Sequence, residues 1–576
     1  MTVAELLVRC LEQEGVRYVF GVPGEETEDL LFALSESSIE FIPTRHEQGA
    51  AFIANVWGRI TGEAGVCLAT LGPGATNLIT GMADANLDKA PLVALTGQGG
   101  TDRLHHESHQ YLDVVNMMRP VTKWNAAISS ARTVAEIVRK AFKLAEFEKP
   151  GATHVEVSED MAAQEVGEDA VPLDPRPVRR PGPDAAALDR TVEILLEAHR
   201  PLVIAGNGGV RTLASKYLTA LVQRHDIPVA STFMGKGSVS DRLPQSLYVL
   251  GLGFKDYVAA AVDAADVIVT AGYDIAEFPP EAWNPEKDKR IVHADFVPAE
   301  VYAHYQPEVE VVGDLSATLL ELDRRLADED PSFEEGWYAP VRERIESDLE
   351  SYAPDATSDP GAMQPDDRGR AGGGPGAGAA SDSGRPFTAP GAIHVVRQVM
   401  DDSGLLISDV GSHKMWIARN FPTYCAGGCI ISNGLASMGI ALPGAIAAAL
   451  AQPGRQVVAA MGDGGFLMNS QELETARRLD VGFTAIVLND DDYGLISWKQ
   501  AMSRGRSVST RISNPDFVKY AESFGVAGYR PESYGELREV LSHTLGTGEL
   551  ALVEVPVDPT VNGELVEKLK EYWQGR

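Results

Sequence analysis

Cysteine is scarce: Cys10, Cys67, Cys425 and Cys429 are the only four in 576 residues. They are too few and too scattered for a disulfide framework, and the lone Cys-x-x-x-Cys at 425 and 429 lacks the second ligand pair of a zinc site. All four read as reduced thiols. No stretch supplies the roughly 18 uninterrupted apolar residues of a membrane span, so no membrane partner is expected. Positive charge is short as well. Against 82 Asp plus Glu stand 50 Lys plus Arg, a formal net charge of -32, and such a surface repels phosphate backbones and anionic lipid. This argues against a nucleic-acid partner. Met1-Thr2-Val3-Ala4-Glu5-Leu6-Leu7 shows none of the basic, apolar and small-residue succession of a signal peptide, which predicts a cytoplasmic protein.

What is present is an ordinary globular composition, 44% hydrophobic and 23% charged, in a chain too long for one core. Short Val/Ile/Leu/Ala runs alternate with helical patterns, as in parallel sheets covered by helices on both faces. Strands are predicted at 65–70, 91–96, 201–206, 266–272, 404–410, 456–461 and 483–488. The fold class is therefore α/β, with three doubly wound parallel-sheet domains: an N-terminal one over 1–165, a central one over 186–325 and a C-terminal one over 387–560. Between the last two, residues 350–386 are rich in Gly, Ala, Ser, Pro and Asp and nearly devoid of large apolar side chains. Such a stretch cannot offset its ordering entropy and reads as a flexible linker.

The strongest chemical signal is Gly462-Asp463-Gly464-Gly465, after a predicted strand and before a helix predicted over 470–476. One βα unit later Asn489-Asp490-Asp491-Asp492 ends the neighbouring strand, so oxygen ligands on two adjacent loops flank one point. That is what a magnesium ion bridging two phosphates requires. Gly-Asp-Gly alone reads as a βα turn. In Arg45-His46-Glu47-Gln48-Gly49-Ala50-Ala51, Glu47 opens a helix, a position that the dipole favours on its own account.

Together these strings resemble the thiamine-diphosphate enzymes, whose signature is Gly-Asp-Gly followed one βα unit later by an asparagine pair. The resemblance implies thiamine diphosphate and Mg2+ as cofactors, with the metal on Asp463, Asp490 and the main-chain carbonyl of Asp492. One departure is the aspartate standing for the second asparagine. Gly464 and Gly465, with Gly411, Ser412 and His413 of Asp409-Val410-Gly411-Ser412-His413, fall on the diphosphate contacts. Glu47 falls on the activating glutamate, which hydrogen-bonds the pyrimidine ring so that the coenzyme's own amino group serves as base. Asn433-Gly434-Leu435-Ala436-Ser437-Met438-Gly439 resembles the prop segment: Met438 would bend the coenzyme and the main chain near Ala436 would accept from its amino group. By itself Met438 reads as core packing.

Within that family the acetolactate synthases are most similar, through Leu71-Gly72-Pro73-Gly74-Ala75-Thr76-Asn77-Leu78, Gly81-Met82-Ala83-Asp84-Ala85 and Gly97-Gln98. Ser108-His109-Gln110-Tyr111-Leu112-Asp113 and Ala271-Gly272-Tyr273-Asp274-Ile275-Ala276-Glu277-Phe278 resemble the catabolic, flavin-free group, which leans away from FAD. The resemblance implies pyruvate as substrate, with pyruvate or 2-oxobutyrate as acceptor and Gln110 hydrogen-bonding the reacting pyruvate. It also implies a homodimer or homotetramer, because Glu47 and Asp463 of relatives reach one coenzyme from different subunits. A regulatory small subunit remains open. A simple 2-oxo-acid decarboxylase and a non-catalytic coenzyme-binding subunit are the competing readings. His105, His106 and His109 pose a zinc question, since positions 105 and 109 are one helical turn apart.

Overall fold

In the computed structural model the described residues are 1–167, 169–251, 256–300, 303–329, 331–354 and 387–565. The stretch expected as a linker lies outside them from residue 355 to 386. Eighteen strands among the described residues form three six-stranded sheets. The first holds β1 Tyr18–Gly21, β2 Glu40–Pro43, β3 Gly65–Ala69, β4 Leu92–Gln98, β5 Trp124–Ala127 and β6 Ala152–Ser158, in the order β2-β1-β3-β4-β6-β5. The second holds β7 Pro201–Ala205, β8 Val229–Ser231, β9 Ser246–Val249, β10 Val267–Ala271, β11 Arg290–Asp295 and β12 Val309–Val312, ordered β12-β11-β10-β7-β8-β9. The third holds β13 Leu405–Ser408, β14 Cys429–Ile431, β15 Val457–Gly462, β16 Thr484–Asn489, β17 Ala527–Tyr529 and β18 Ala551–Pro556, ordered β14-β13-β15-β16-β18-β17.

Every ladder is parallel, as the apolar runs require. The first and third sheets share one topology. The middle sheet has the 3-2-1-4-5-6 order of dinucleotide-binding folds. Burial on both faces is plainest there: Val203, Val269 and Val292 enter one core while Leu202, Ile204, Ile268 and Ile291 enter another. In the third sheet Leu406, Val458, Ala460, Ile486, Leu488 and Val553 share a core. Among the described residues no helix is long and apolar enough to cross a membrane.

The chain resolves into two compact units. One comprises Met1–Arg179 with Gly434–Pro453 and Asn469–Val481; the other comprises Arg180–Asn433, Gly454–Met468 and Gly482–Arg576. In the first unit the helix Glu47–Thr61 buries the small residues Ala50, Ala51 and Ala54 and stops at Gly62, whose φ of 76° only glycine adopts without cost. Its tight packing on the helix Pro73–Leu87 requires Gly81, since a Cβ there would overlap Ala51.

Candidate functional site

The residues picked from the sequence fall into two groups, one in each unit. In the second unit the chain order reverses between β13 and β15, and ligands of open α/β sheets bind at the carboxyl ends of the strands flanking such a switch point. After β13 the chain passes Asp409 and Gly411 into the helix Ser412–Asn420. After β15 it enters the helix Asp463–Asn469 directly, so the motif is itself the first helical turn. The helix expected to start at 470 is instead a separate one, Glu472–Arg478. Gly465 cannot be replaced in place, because a Cβ would lie 2.8 Å from Asp409 Oδ2, and one on Gly464 would lie 2.8 Å from the Tyr493 ring.

Asp463 is buried. Its Oδ1 accepts from the Gly464 amide at 2.9 Å, and its Oδ2 accepts from the Asp491 amide at 2.9 Å and from Asn514 Nδ2 at 2.7 Å. Burial raises its pKa and the Asp491 charge adds to this, while those donors oppose it. Asp490 Oδ1 accepts from the Asp492 amide at 3.2 Å. Asp491 between them takes the left-handed φ of 53°, a strained conformation outside glycine. The two loops are thus joined by hydrogen bonds, with Asp463 at their junction.

Three buried polar atoms here have no hydrogen-bond partner: Asp492 Oδ1, Asn514 Oδ1 and His413 Nε2. Burial pulls the His413 imidazole down to about 4, so the ring is neutral at pH 7. Orphaned polar atoms around hard carboxylate oxygens fit a hydrated magnesium ion with its phosphates. Among the described residues no group of three His, Cys, Asp or Glu side chains is placed to hold a metal ion by itself. An ion held by two carboxylates and a carbonyl would leave its remaining positions to phosphate and water, as magnesium prefers.

The first unit holds Glu47, Gln110, Ala436 and Met438. Glu47 is buried at the start of its helix. The turn before it is held by Glu472, which accepts the Arg45 and His46 amides, each at 3.1 Å, while His46 Nδ1 caps the helix by accepting from the Gln48 amide at 3.0 Å. Glu472 is fully buried, which pushes its carboxyl up to about 7. Asn77 Nδ2 donates to Glu47 Oε2 at 2.9 Å, and next to Oε1 stands Gly74, where a Cβ would lie 3.4 Å away. One carboxylate oxygen is therefore fixed by an amide and the other faces a position kept free of side chain. Neither Asn77 nor Glu472 stood out in the sequence, although both lie in strings quoted there.

Residues 434–439 are pinned at both ends. The Gly434 amide donates to Asp88 Oδ1 at 2.6 Å, the Ser437 amide to Asp84 Oδ2 at 3.3 Å, and Asn469 Nδ2 to the Gly439 carbonyl at 2.9 Å. Between these ties Ala436 is held at φ 58°. Met438 is only partly buried.

Gln110 is exposed, with φ 58°, and its carbonyl lies where a Gly72 Cβ would come within 2.5 Å. The segment 104–113 is not helical, so His105 and His109 are not one turn apart on a helix; His105 stacks edge-on against His106 at 4.4 Å. Behind this loop Gln98 Nε2 bridges the Leu112 carbonyl and Glu156 Oε2, both at 3.0 Å. Burial, with the nearby Asp113 charge, pushes Glu156 up to about 7, against the Gln98 bond. A carboxyl raised on folding contributes most below its ordinary value near 4.5, and that contribution is lost as pH rises through 7. Glu156→Gln keeps an acceptor for Gln98, so in chemical denaturation it should be more stable than the parent by about 1 to 3 kcal/mol at pH 8. The difference should vanish near pH 4.5, and a pH-independent difference would contradict it.

Three family profiles match the chain: "Thiamine pyrophosphate enzyme, N-terminal TPP binding domain" over residues 1–117, the central domain of that family over 188–322, and its C-terminal TPP binding domain over 409–555. The chain is 34% identical over 561 residues to the acetolactate synthase of Bacillus subtilis (strain 168), covering 97% of this chain and 94% of that protein. It is 33% identical to the catabolic acetolactate synthase of Raoultella terrigena, over 98% of this chain and 97% of that one. A probable acetolactate synthase large subunit from Methanocaldococcus jannaschii is 32% identical, over 96% and 92%.

Proposed function

The chain belongs to the acetolactate synthase family of thiamine pyrophosphate enzymes, and on that premise we propose that it takes carbon dioxide from pyruvate in the cytoplasm and joins the remaining two-carbon unit to a second pyruvate or to 2-oxobutyrate. The observation that carries this reading is the hydrogen-bonded junction of the Asp463 and Asn489–Asp492 loops beside the third sheet's switch point. Asp463, Asp490 and the Asp492 carbonyl hold Mg2+ there. Gly464, Gly465, Gly411, Ser412 and His413 receive the diphosphate.

Bound in that way, thiamine diphosphate supplies the nucleophilic carbon and the electron sink for decarboxylation. The protein's share is position and proton control. Glu47, its Oε2 fixed by Asn77, would hold a proton for the pyrimidine ring nitrogen. The Ala436 carbonyl would accept from the pyrimidine amino group, Met438 would support the coenzyme, and Gln110 would donate to the 2-oxo acid. We place Glu47 of one copy at the coenzyme whose diphosphate a second copy holds, which makes a homodimer the minimum and a tetramer its doubling.

FAD has no part in the proposal. In the middle sheet the turn after β7 would offer its amides to a cofactor phosphate at the switch point. Buried Glu277 occupies this place instead, accepting from the Asn207 amide of that turn at 3.0 Å and from the Asp274 amide after β10 at 3.2 Å, with Thr232 Oγ1 also donating to it.

Incubating the protein with pyruvate, thiamine diphosphate and magnesium and identifying the product by NMR tests the reaction. Acetolactate is the expected main product. Acetaldehyde with little acetolactate would leave the coenzyme chemistry standing and overturn the carbon–carbon joining step.

A further inference from the structure

We propose that Asn514 is a positioning residue of the metal site: its amide nitrogen locks the two metal-bearing loops in register, and its carbonyl oxygen accepts from a water carried by the ion. The inference rests on the magnesium reading above and adds to it a residue that contributes no ligand of its own.

Asn514 lies on a strap running back over the Asn489–Asp492 loop after the helix Gly494–Arg504. Two backbone bonds fasten the strap, from the Tyr493 amide to the Thr510 carbonyl at 3.0 Å and from the Ile512 amide to the Asp491 carbonyl at 3.0 Å. Asp492 and Arg511 pair as an antiparallel bridge. Pro515 disfavours a helical conformation in the residue before it. Two residues further on Phe517 is buried edge-on against Phe466, 5.5 Å between centroids, on the helix that Asp463 begins. The strap is anchored to both loops before Asn514 makes any contact.

The Asn514 amide nitrogen then faces three oxygens at once: Asp463 Oδ2 at 2.7 Å, Asp491 Oδ1 at 2.9 Å and Asn489 Oδ1 at 3.1 Å. One comes from the first helical turn after β15 and two from the end of β16 and the loop that follows it. Carboxylates gathered this closely repel one another, and a neutral donor between them offsets that repulsion without adding a cation that would compete with the metal. Each Asp463 oxygen already has a fixed protein donor, so the carboxylate plane is set in advance. Asn514 Oδ1, by contrast, is buried with no partner, as is Asp492 Oδ1. Magnesium retains several of its waters when bound, and those waters donate to acceptors of this kind.

The full-length protein and its Asn514→Ala and Asn514→Asp variants would be titrated with MgCl2 by calorimetry in the presence of thiamine diphosphate. Turnover at saturating magnesium would be measured beside the titration, with the melting temperature of the metal-free protein as a folding control. Removing the amide should raise the magnesium dissociation constant about 10- to 100-fold while turnover at saturating magnesium recovers most of its value. Asn514→Asp keeps the size but puts a fourth acceptor among three, and should bind magnesium no better than Asn514→Ala. Parental affinity in Asn514→Ala, with only a lower melting temperature, would reduce Asn514 to a structural role and overturn the proposal. Tighter binding in Asn514→Asp would overturn it too, because the side chain would then be touching the metal. If the parent itself bound no magnesium with the coenzyme, the metal reading would fall and this inference with it; a binding parent beside an unaffected variant would fault Asn514 alone.

Discussion

Glu47→Gln should fold, retain thiamine diphosphate and lose turnover by about a thousandfold or more. Glutamine has the length of glutamate, and its side-chain oxygen still accepts from Asn77 Nδ2, which lies 2.9 Å from the native carboxylate. The Glu472 bonds to the Arg45 and His46 amides do not involve the substituted side chain, so the preceding turn should persist. What glutamine cannot do is exchange a proton with the pyrimidine ring. The effect should therefore fall on kcat with the coenzyme dissociation constant nearly unchanged, a split that a packing defect would not produce. Turnover within tenfold of the parent would remove Glu47 from the chemistry.

The second large effect is expected at the other end of the coenzyme. Asp463→Asn preserves shape but takes away the charge from the junction of the two loops. Retention of thiamine diphosphate in magnesium should weaken by about a hundredfold or more, since the ion loses a carboxylate ligand. The pH dependence of stability should change as well. Burial and the Asp491 charge both hold the Asp463 pKa above its ordinary value, so the ionised side chain costs the metal-free protein free energy. The metal-free variant gives up at least one bond that Asp463 accepts, a cost independent of pH, but is spared a buried charge that costs the parent more as pH rises, so its melting temperature relative to the parent should climb with pH. Loss of stability together with unchanged coenzyme retention would mean that Asp463 serves the fold rather than the metal.

Much of this architecture could be read from the chain because strand ends and loop chemistry are local. The apolar runs that become β15 and β16 stop at Gly462 and Asn489, and the oxygen-bearing residues follow at once. The three-sheet α/β class follows from runs of that kind repeated along the chain. The residues that arrange the site were much less visible. Asn77 meets Glu47 across 30 residues, Asn514 meets Asp463 across 51, and Glu472 meets Arg45 across 427. No periodicity or motif length spans such separations; only packing brings the partners together. Helix starts were misplaced for a related reason. The glycines of Gly464-Gly465 argue against a helix locally, yet a Cβ at either would crowd Tyr493 or Asp409, so tertiary packing favours glycine in its first turn. The His105–His109 stretch shows the opposite error, a helical spacing in a segment that turns instead. Nor could pattern alone show that residues 434–453 and 469–481 pack with the first 179.

Calorimetric titration of the metal-free protein with thiamine diphosphate, with and without magnesium, bears most directly on the account. It predicts saturable binding that appears only when magnesium is present. A folded protein that takes up no coenzyme in magnesium, or binds it equally well in a chelator, would contradict it.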